Sequence, residues 1–260
     1  MNAVPPYVPG HGLMRGRTAV VTAAAGTGIG GATARRLLEE GARVLLSDAH
    51  HRRLEQTTAG LAAEFGASAV ASAPCDVTDE EQVAAMFGAA LDRFGRLDAV
   101  VNNAGLGGTA RLTEMTDRQW GRVLDVTLTG TMRCTRAALR LMAGGGGGAI
   151  VNNASVLGWR AQEGQAHYAA AKAGVMALTR CAAVEAAGDG IRVNAVAPSL
   201  AVHPNLAKAA SEELLAGLAA REAFGRHAEP WEVANVIVFL ASDYSSYMTG
   251  EVVSVSSRRA

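Results

Sequence analysis

Residues 18–31 read TAVVTAAAGTGIGG and join a short apolar run to a helical segment through a turn of alanine and glycine. The apolar run at 18–22 predicts a buried strand, and the segment from about residue 30 to 40 predicts a helix that Gly41 closes. The glycines between them allow a tight bend that exposes backbone N–H groups at the start of the helix. This order is typical of the first unit of an open α/β sheet.

The rest of the chain continues this alternation of short apolar runs and helical segments. Continuous apolar strands separated by helices indicate a parallel sheet that is covered on both faces. We therefore predict an α/β fold, a single doubly wound, Rossmann-like domain with about seven parallel strands and helices on both faces. The predicted strands lie at residues 18–22, 43–48, 68–73, 97–102, 149–151, 192–197 and 251–255.

Capping patterns predict where several helices begin and end. Thr78 precedes Glu81 by three residues, which is the spacing of a capping box. Thr116 and Gln119 repeat this spacing before a long helix, and Pro230 suits the first turn of a later one. Glycines after helical segments predict left-handed C-terminal caps. They are Gly41, Gly66, Gly95 and Gly188.

Three segments fall outside the regular pattern. Residues 1–16 are rich in proline and glycine and predict a flexible N-terminal tail, or else a strap across the surface. Residues 17–260 are then one domain, in which the glycine run at 144–148 is a surface loop. The irregular segment at about 198–229 is the predicted substrate lid, and its helix at 211–221 has an apolar stripe that could close over a ligand.

Composition excludes several functional classes. The 260 residues are 49% hydrophobic with zero net charge, so neither a nucleic-acid groove nor a basic membrane face is indicated. No apolar run reaches the roughly 18 residues that a membrane span needs, and no signal peptide is evident. Cys75, Cys134 and Cys181 share no metal-ligand spacing, so we expect reduced thiols, no metal site and a cytoplasmic protein.

Proton-handling groups are concentrated between Ser155 and Lys172. Tyr168 and Lys172 are four residues apart and share one face if this segment is helical. An ammonium beside a phenol stabilises the phenolate, whose ordinary pKa is about 10. Ser155 lies 13 residues before Tyr168 and could hydrogen-bond an oxygen that Tyr168 holds.

The use of lysine supports this interpretation of the segment. Of the 24 Lys and Arg residues only two are lysines, and one of them is Lys172. An ammonium has a pKa that can move, whereas guanidinium does not lose its proton in a protein. The alternative is that the Tyr168 and Lys172 spacing arises by chance and that Ser155 is a turn residue.

The glycine-rich turn predicts a dinucleotide site at its N–H groups. Asp48 ends the second strand 20 residues after Gly28, where a carboxylate would bind ribose hydroxyls and repel a 2′-phosphate. NAD is therefore favoured over NADP. Two alternatives stay open, namely that Asp48 is a helix N-cap and that the cationic residues at 50–53 hold a phosphate. Asp76 could reach the adenine amino group.

In combination these residues resemble the short-chain dehydrogenase/reductase family, and the resemblance covers residues 17–255. It implies that Tyr168 is the general acid/base, that Ser155 orients the substrate oxygen, and that Lys172 lowers the tyrosine pKa and holds the nicotinamide ribose. The motifs are the turn ending at 28–30, Asp76, the NNAG stretch at 102–105, Ser155, Tyr168 with Lys172, and Asn194, Val196 and Pro198. The implied cofactor contacts are Gly26, Thr27, Gly28, Ile29, Asp48, Asp76, Val77, Asn103, Ala104, Gly105, Tyr168, Lys172, Pro198 and His203.

The chain departs from the family pattern at several positions. Ala23 replaces the usual glycine after Thr22, and the turn is one residue longer. Thr127 replaces an asparagine that helps to hold a proton-relay water, so we expect it to hold that water with fewer hydrogen bonds. Other differences are Ser199 after Pro198, His203 near the expected nicotinamide amide, and Ser256 with Ser257 in place of two glycines.

With these departures the chain resembles a subgroup of actinobacterial reductases that act in steroid degradation. The substrates of that subgroup are indane ring fragments carried as CoA thioesters. On that resemblance, Trp159, Leu157 and Met248 line an apolar pocket and Arg160 meets a thioester or phosphate. The alternative for Trp159 and Arg160 is a packed loop and a surface charge. The resemblance also implies a homotetramer that uses the alanine-rich helix at 168–187, and the alternative is a monomer.

The sequence therefore predicts an oxidoreductase that interconverts a secondary alcohol and a ketone with NAD(P), on a cyclic or steroid-derived substrate. A 3-oxoacyl-thioester reductase is the alternative within the same class. The alternative outside it is a nucleotide-binding redox sensor that turns over no substrate, which Ala23 and Thr127 keep open. The three groups Ser155, Tyr168 and Lys172 favour the enzyme.

Overall fold

A computed structural model of the chain describes residues 4–201 and 212–257. Its seven strands form one parallel sheet in the order β3-β2-β1-β4-β5-β6-β7, which confirms the predicted sheet. The order reverses direction at β1 and β4, as a doubly wound sheet requires. The strands are β1 Thr18–Val21, β2 Arg43–Asp48, β3 Val70–Pro74, β4 Ala99–Asn102, β5 Gly148–Asn153, β6 Ile191–Pro198 and β7 Val252–Val255.

Helices connect the strands and cover both faces of the sheet. The long helix predicted after Thr116 contains a five-residue π-helical segment, Asp125–Thr129, which joins α4 to α5. The helices are α1 Ile29–Glu39, α2 His51–Phe65, α3 Glu80–Phe94, α4 Asp117–Leu124, α5 Gly130–Met142, α6 Ala166–Ala186, α7 Glu212–Ala219 and α8 Pro230–Ala241.

Alternating side chains of each strand supply the two main halves of the core. In β1, Ala19 and Val21 pack on the face that α1 and α8 cover, whereas Val20 packs on the face that α3 and α5 cover. Every residue of β1 is buried, and β1 pairs with β2 and β4 on its two sides. Burial on both faces thus explains why the residues of this central strand after Thr18 are all apolar.

The capping predictions are right for one helix and wrong for another. Thr116 and Gln119 form the predicted capping box at the start of α4. At α3 the N-cap is Asp79, whose carboxylate accepts from the N–H groups of Glu81 and Gln82. The predicted box at Thr78 is therefore wrong, because an aspartate one residue later satisfies the same free N–H groups with a stronger acceptor.

The glycine predictions at helix ends also differ in outcome. Gly95 is left-handed as predicted, with φ of 75°. Gly66 has positive φ but ψ of 139°, so it is not a left-handed cap. Gly188 does not end its helix either, because a 3₁₀ turn over Ala187–Asp189 extends α6 and places the left-handed residue at Gly190.

Residues 4–16 lie across α1 and α8 as a strap. The buried carboxylate of Glu40 accepts from the N–H groups of His11 and Leu13 at 2.8 and 2.9 Å. The Tyr7 ring contacts Trp231 of α8 edge to face, with centroids 5.2 Å apart. The described part of the N-terminal segment therefore adopts the strap rather than the free tail.

Candidate active site

The structure brings Ser155, Tyr168 and Lys172 together at the carboxyl edge of the sheet. Ser155 follows β5, and the other two lie on successive turns at the start of α6. The Lys172 Nζ lies 5.6 Å from the centroid of the Tyr168 ring, and the side chains of Ser155 and Tyr168 are hydrogen-bonded. A proton donor, its hydrogen-bonding partner and a cation are thus held within one small volume.

Burial controls the protonation of the two groups on α6. It raises the pKa of Tyr168 above its ordinary value, and the Ser155 hydrogen bond lowers that pKa by less. Lys172 is 3% exposed, and burial lowers its pKa to about 8. The Lys172 ammonium donates to the Asn153 carbonyl, and its effect on the pKa of Tyr168 stays a prediction.

The turn after β1 leaves a row of backbone donors exposed. Asp48 accepts from the Ala25 N–H at 3.2 Å, and Thr57 Oγ1 accepts from the Gly26 N–H at 3.0 Å. The N–H groups of Thr27, Gly28 and Ile29 have no hydrogen-bond partner within the described ranges. These N–H groups lie at the N-terminus of α1, so they suit a bound anion such as a pyrophosphate.

Two glycines at the start of α1 are required by close backbone packing. A Cβ at Gly30 would lie 2.2 Å from the Ala23 carbonyl oxygen, and one at Gly31 would lie 1.9 Å from that of Gly26. The helix therefore starts directly against the turn. In the described residues, the close turn and its exposed N–H groups fit the pyrophosphate of a dinucleotide.

Ala23, which stands where the family has a glycine, adopts the backbone conformation that a glycine would favour. Its φ is 49°, and it is the one non-glycine residue with positive φ in the parts of the chain that are described. Asn103 Nδ2 donates to the carbonyl oxygens of Thr22 and Ala23, both at 3.2 Å. The turn thus keeps the left-handed conformation that glycine favours, held by a side chain from the next strand end.

Asp48 is buried and faces the turn. Its Oδ1 accepts from the His50 N–H at 2.8 Å and lies 3.7 Å from the Arg53 guanidinium. The N-cap of α2 is His50, whose Nδ1 accepts from the Arg53 N–H at 3.4 Å, so the N-cap alternative for Asp48 is wrong. The carboxylate instead connects the turn to the end of β2.

Polar groups at the end of β4 fix the neighbouring loop to the turn. Thr22 Oγ1 accepts from the N–H groups of both Asn103 and Ala104 at 3.0 Å. Asn153 donates to Asn103 Oδ1 at 2.8 Å, whereas its own Oδ1 is buried without a partner in the described residues. A Cβ at Gly105 would lie 3.5 Å from Lys172 Nζ. The Oδ1 atom of Asn153 can therefore accept a hydrogen bond from a bound group.

The residues after β3 contribute unequally to this edge. Asp76 is exposed, and its carboxylate accepts from the Thr78 N–H and hydroxyl at 3.0 and 2.8 Å. Val77 is buried, and a Cβ at Gly130 would lie 2.6 Å from its Cγ2. The Val77 side chain packs in the core, so only its backbone could meet a cofactor.

Thr127 lies near the site and bonds the backbone of Leu106. It is 0% exposed within the π-helical segment. Its hydroxyl donates to the Leu106 carbonyl at 3.1 Å and accepts from the Leu106 N–H at 3.0 Å. The hydroxyl hydrogen is thus used within the protein, so a relay water at Thr127 would have to donate to the remaining lone pair of Oγ1, and the relay role stays a prediction.

The remaining predicted site residues do not all lie at the carboxyl edge of the sheet. Pro198 ends β6 at the same edge, whereas His203 lies outside the described residues, as does part of the expected lid. Trp159 is exposed on the loop that follows Ser155. Met248 lies at the opposite edge, because its carbonyl accepts from Asn194 near the start of β6, so its placement in a substrate pocket is wrong.

Two residues beside the site were not selected from the sequence. His167 is buried, and its Nδ1 accepts from the Tyr168 N–H at 2.9 Å, which satisfies a free donor in the first turn of α6. Gln165 donates to the Gly108 carbonyl and to Thr109 at 2.8 and 3.2 Å. Because both residues closely precede Tyr168, the sequence could have suggested that they support it. No sequence pattern indicates that they contact the loop containing Gly108 and Thr109.

Membrane-spanning helices and clusters of metal ligands are both absent from the described ranges. No helix there has the length and apolarity needed to cross a bilayer. No cluster of three or more His, Cys, Asp or Glu side chains there has the geometry of a metal site.

Comparisons with known proteins agree with this architecture. A family model described as enoyl-(acyl carrier protein) reductase, one of the short-chain dehydrogenase models, matches residues 23–257. A crystal structure of a short-chain dehydrogenase from Mycobacterium smegmatis superposes with a TM-score of 0.88 at 58% identity, over 99% of both chains.

Two curated relatives carry named activities. A (5R,7aS)-5-hydroxy-7a-methyl-1-oxo-2,3,5,6,7,7a-hexahydro-1H-indene-carboxyl-CoA reductase from Mycobacterium tuberculosis is 62% identical over 98% of both chains. A cis-4-hydroxycyclohexanecarboxylate dehydrogenase from Sinomonas cyclohexanicum is 46% identical over 92% of this chain and 94% of its own. The chain belongs to the short-chain dehydrogenase/reductase family of nicotinamide-dependent oxidoreductases.

Proposed function

We propose that the protein is an NAD-dependent enzyme that interconverts a ring alcohol and the corresponding ketone, with Tyr168 as general acid/base. The observation that carries the proposal is the meeting of Ser155, Tyr168 and Lys172 beside the free N–H groups of the turn. A nucleotide-binding sensor would need the turn but would have no use for a buried phenol, hydroxyl and ammonium.

The proton chemistry follows from the three side chains. In the reducing direction the Tyr168 hydroxyl gives its proton to the substrate carbonyl oxygen, and Ser155 donates a hydrogen bond to the same oxygen. In the oxidising direction the phenolate takes the alcohol proton. The bound nicotinamide supplies or accepts the hydride at the carbon that carries this oxygen. The Lys172 ammonium stabilises the phenolate, and its pKa of about 8 means that part of this charge is lost at alkaline pH.

The preference for NAD rests on Asp48. Its carboxylate would accept from ribose hydroxyls and repel a 2′-phosphate. Arg53 lies 3.7 Å from Asp48, so its charge is balanced by the carboxylate rather than reserved for a phosphate. His50 is occupied as the N-cap of α2. These contacts argue against a phosphate site among residues 50–53.

The substrate class rests on the named relatives. Both names describe a ring that carries a hydroxyl group and a carboxyl group, free in one relative and bound to CoA in the other. We propose the CoA thioester of a hydroxylated or oxo indane carboxylic acid as the substrate of this chain. Segment 198–229 is the proposed lid over it.

The test combines cofactor binding with turnover. Calorimetric titration should show tighter binding of NADH than of NADPH, and Asp48→Ser should reduce the difference. Absorbance at the nicotinamide band should then report turnover of a cyclic ketone carried as a CoA thioester, with a straight-chain 3-oxoacyl-CoA as the comparison. Faster turnover of the straight chain would overturn the substrate class, and NADH binding without turnover of either would favour the sensor.

We also propose that the protein assembles as a homotetramer through the outer faces of α5 and α6. Val184 on α6 is 80% exposed although it is apolar, and α6 is rich in alanine, which permits close helix contact. Light scattering after size-exclusion chromatography should give four times the mass of the 26.7 kDa chain. A monomer mass would contradict the proposal.

A further inference from the structure

Three serine hydroxyls converge on one buried carboxylate beyond the ends of β6 and β7. Glu222 is 8% exposed, and its Oε2 accepts from the hydroxyls of Ser199, Ser256 and Ser257 at 3.3, 3.4 and 3.1 Å. Burying a carboxylate is costly unless hydrogen-bond donors or cations surround it, and its oxygens can accept from several donors. The three serines are departures from the family pattern, and all three meet at this one side chain.

These contacts join two parts of the chain that are distant in sequence. Ser199 directly follows β6 and Glu222 follows α7, so the two residues are 23 apart and yet hydrogen-bonded. Next to them, the Ala228 N–H donates to the Leu200 carbonyl at 2.9 Å. The chain therefore leaves the sheet after β6 and returns to the same place. We call this place the Glu222 neck, formed by Ser199, Leu200, Glu222 and Ala228.

The Glu222 neck lies beside the candidate active site. In the sheet, β6 lies between β5 and β7. On one side of β6, the Val196 carbonyl accepts from the Ala154 N–H at 2.8 Å, and Ala154 directly precedes Ser155. On the other side, the Ser199 N–H donates to the Val255 carbonyl at 3.1 Å. One stretch of hydrogen-bonded backbone thus joins the neck to the residues that carry Ser155.

We propose that Glu222 is a positioning residue that fixes the Glu222 neck against the ends of β6 and β7, and so fixes the β6 side of the candidate active site. In this role the carboxylate contacts neither substrate nor cofactor. The glycine-rich turn follows β1, which lies on the other side of β5 in the sheet. A change at the neck should therefore weaken the binding of substrate more than that of cofactor. The inference rests on the proposed function, because the position of the neck affects a rate only if the site turns over a substrate.

Two substitutions of Glu222 test the proposal by kinetics. Glu222→Leu keeps a side chain of similar size but removes the acceptor of all three hydroxyls, so the KM for the CoA thioester of an oxo indane carboxylic acid should rise about tenfold. The dissociation constant of NADH should stay within about twofold of wild type. Glu222→Gln keeps one acceptor oxygen and should keep the substrate KM within about threefold of wild type. A wild-type substrate KM in Glu222→Leu would overturn the proposal.

Hydrogen exchange gives a readout of the Glu222 neck that does not depend on turnover. The Ala228 amide donates to Leu200 across the neck, so Glu222→Leu should speed its exchange at least tenfold. Mass spectrometry of peptides that span residues 223–229 measures this exchange. Unchanged exchange in Glu222→Leu would overturn the proposal whatever the activity. Faster exchange in that variant, together with a wild type that turns over no ring substrate, would support the fixing role of Glu222 and refute the proposed function.

Asp98→Asn is the matched control for a general loss of stability. Asp98 is a carboxylate of similar burial, 6% exposed, and it accepts from the Thr18 N–H at the start of β1, at the opposite edge of the sheet. Its substitution should lower stability but leave both the Ala228 exchange and the substrate KM near wild type. A substrate KM that rises equally in Asp98→Asn and Glu222→Leu would overturn the proposal, because lost stability alone would then explain the effect.

Discussion

The two edges of the sheet use charged and polar groups in different ways. At the amino edge, Asp98 is 6% exposed and accepts from the Thr18 N–H and from Arg96 Nε, both at 2.8 Å. Arg192 donates there to the carbonyls of Leu240 and Ser242 at 2.9 Å. At the carboxyl edge, three N–H groups of the turn and Asn153 Oδ1 have no partner in the described residues.

The difference separates a structural network from a binding site. Both edges hold buried ionisable groups, so charge alone does not distinguish them. What distinguishes them is that the ionised groups of the amino edge are paired within the protein, whereas the carboxyl edge keeps donors and an acceptor available. Substitutions at the amino edge should therefore affect stability, and those at the carboxyl edge should affect chemistry.

The largest expected effect is on chemistry at the carboxyl edge. Tyr168→Phe removes the proton donor without altering the turn, so kcat should fall about 10³-fold. The NADH affinity and the thermal midpoint should stay near wild type. Steady-state kinetics and calorimetry on the same preparation check both statements. Turnover at the wild-type rate would show that another group transfers the proton.

The next effect should appear in stability at the amino edge. Asp98→Asn leaves Arg96 and Arg17 without a buried carboxylate, so the free energy of unfolding should fall by about 3 kcal/mol. The kcat of the folded enzyme should not change. Urea denaturation measures the loss, and Glu64→Gln, in an exposed ion pair with Arg35, is a control that should lose much less stability. Lost kcat with unchanged stability in Asp98→Asn would contradict the division between the edges.

A third prediction concerns pH and Lys172. Its pKa is lowered from 10.5 to about 8 in the folded chain, so between these values the unfolded chain binds more protons than the folded one. The stability of the wild type relative to Lys172→Met should therefore rise as pH increases from 8 to 10.5, by up to about 3 kcal/mol. Urea denaturation at several pH values measures it. If the stability of the wild type relative to Lys172→Met falls as pH rises, the ammonium of Lys172 is stabilised in the folded state.

The smallest effect is expected at the turn. Ala23→Gly removes the penalty for a φ of 49°, and the gain is partly offset by the greater freedom of glycine in the unfolded chain. A net stabilisation of roughly 0.5 kcal/mol is expected by urea denaturation. Ala25→Gly is the matched control in the same turn, and it should destabilise because Ala25 does not have positive φ. Stabilisation by both variants would show that the left-handed conformation is not the cause.

Local patterns were sufficient to predict the fold. The second strand was predicted with the bounds that the structure has, because Arg43–Asp48 is an apolar run with polar ends. The face shared by Tyr168 and Lys172 followed from helical spacing. Parallel strands then place the ends of β1, β4, β5 and β6 at one edge without further information.

Contacts between distant segments could not be predicted in the same way. The bonds between Thr127 and Leu106 join residues 21 apart and depend on a π-helical segment that no capping or periodicity signal indicates. The direction of the Tyr168 pKa depends on how much protein surrounds the ring, which spacing does not give. Met248 was misplaced because its sequence position after α8 does not reveal at which edge of the sheet it lies.

The strap formed by residues 4–16 also has a consequence for biosynthesis. Tyr7 is synthesised 224 residues before its ring partner Trp231. The buried carboxylate of Glu40 can accept from His11 and Leu13 early, so one half of the strap can form while the chain is still being made. The ring contact of Tyr7 forms only after Trp231 of α8 has been synthesised. The strap is therefore synthesised before α8 but can be fully packed only after α8 is present.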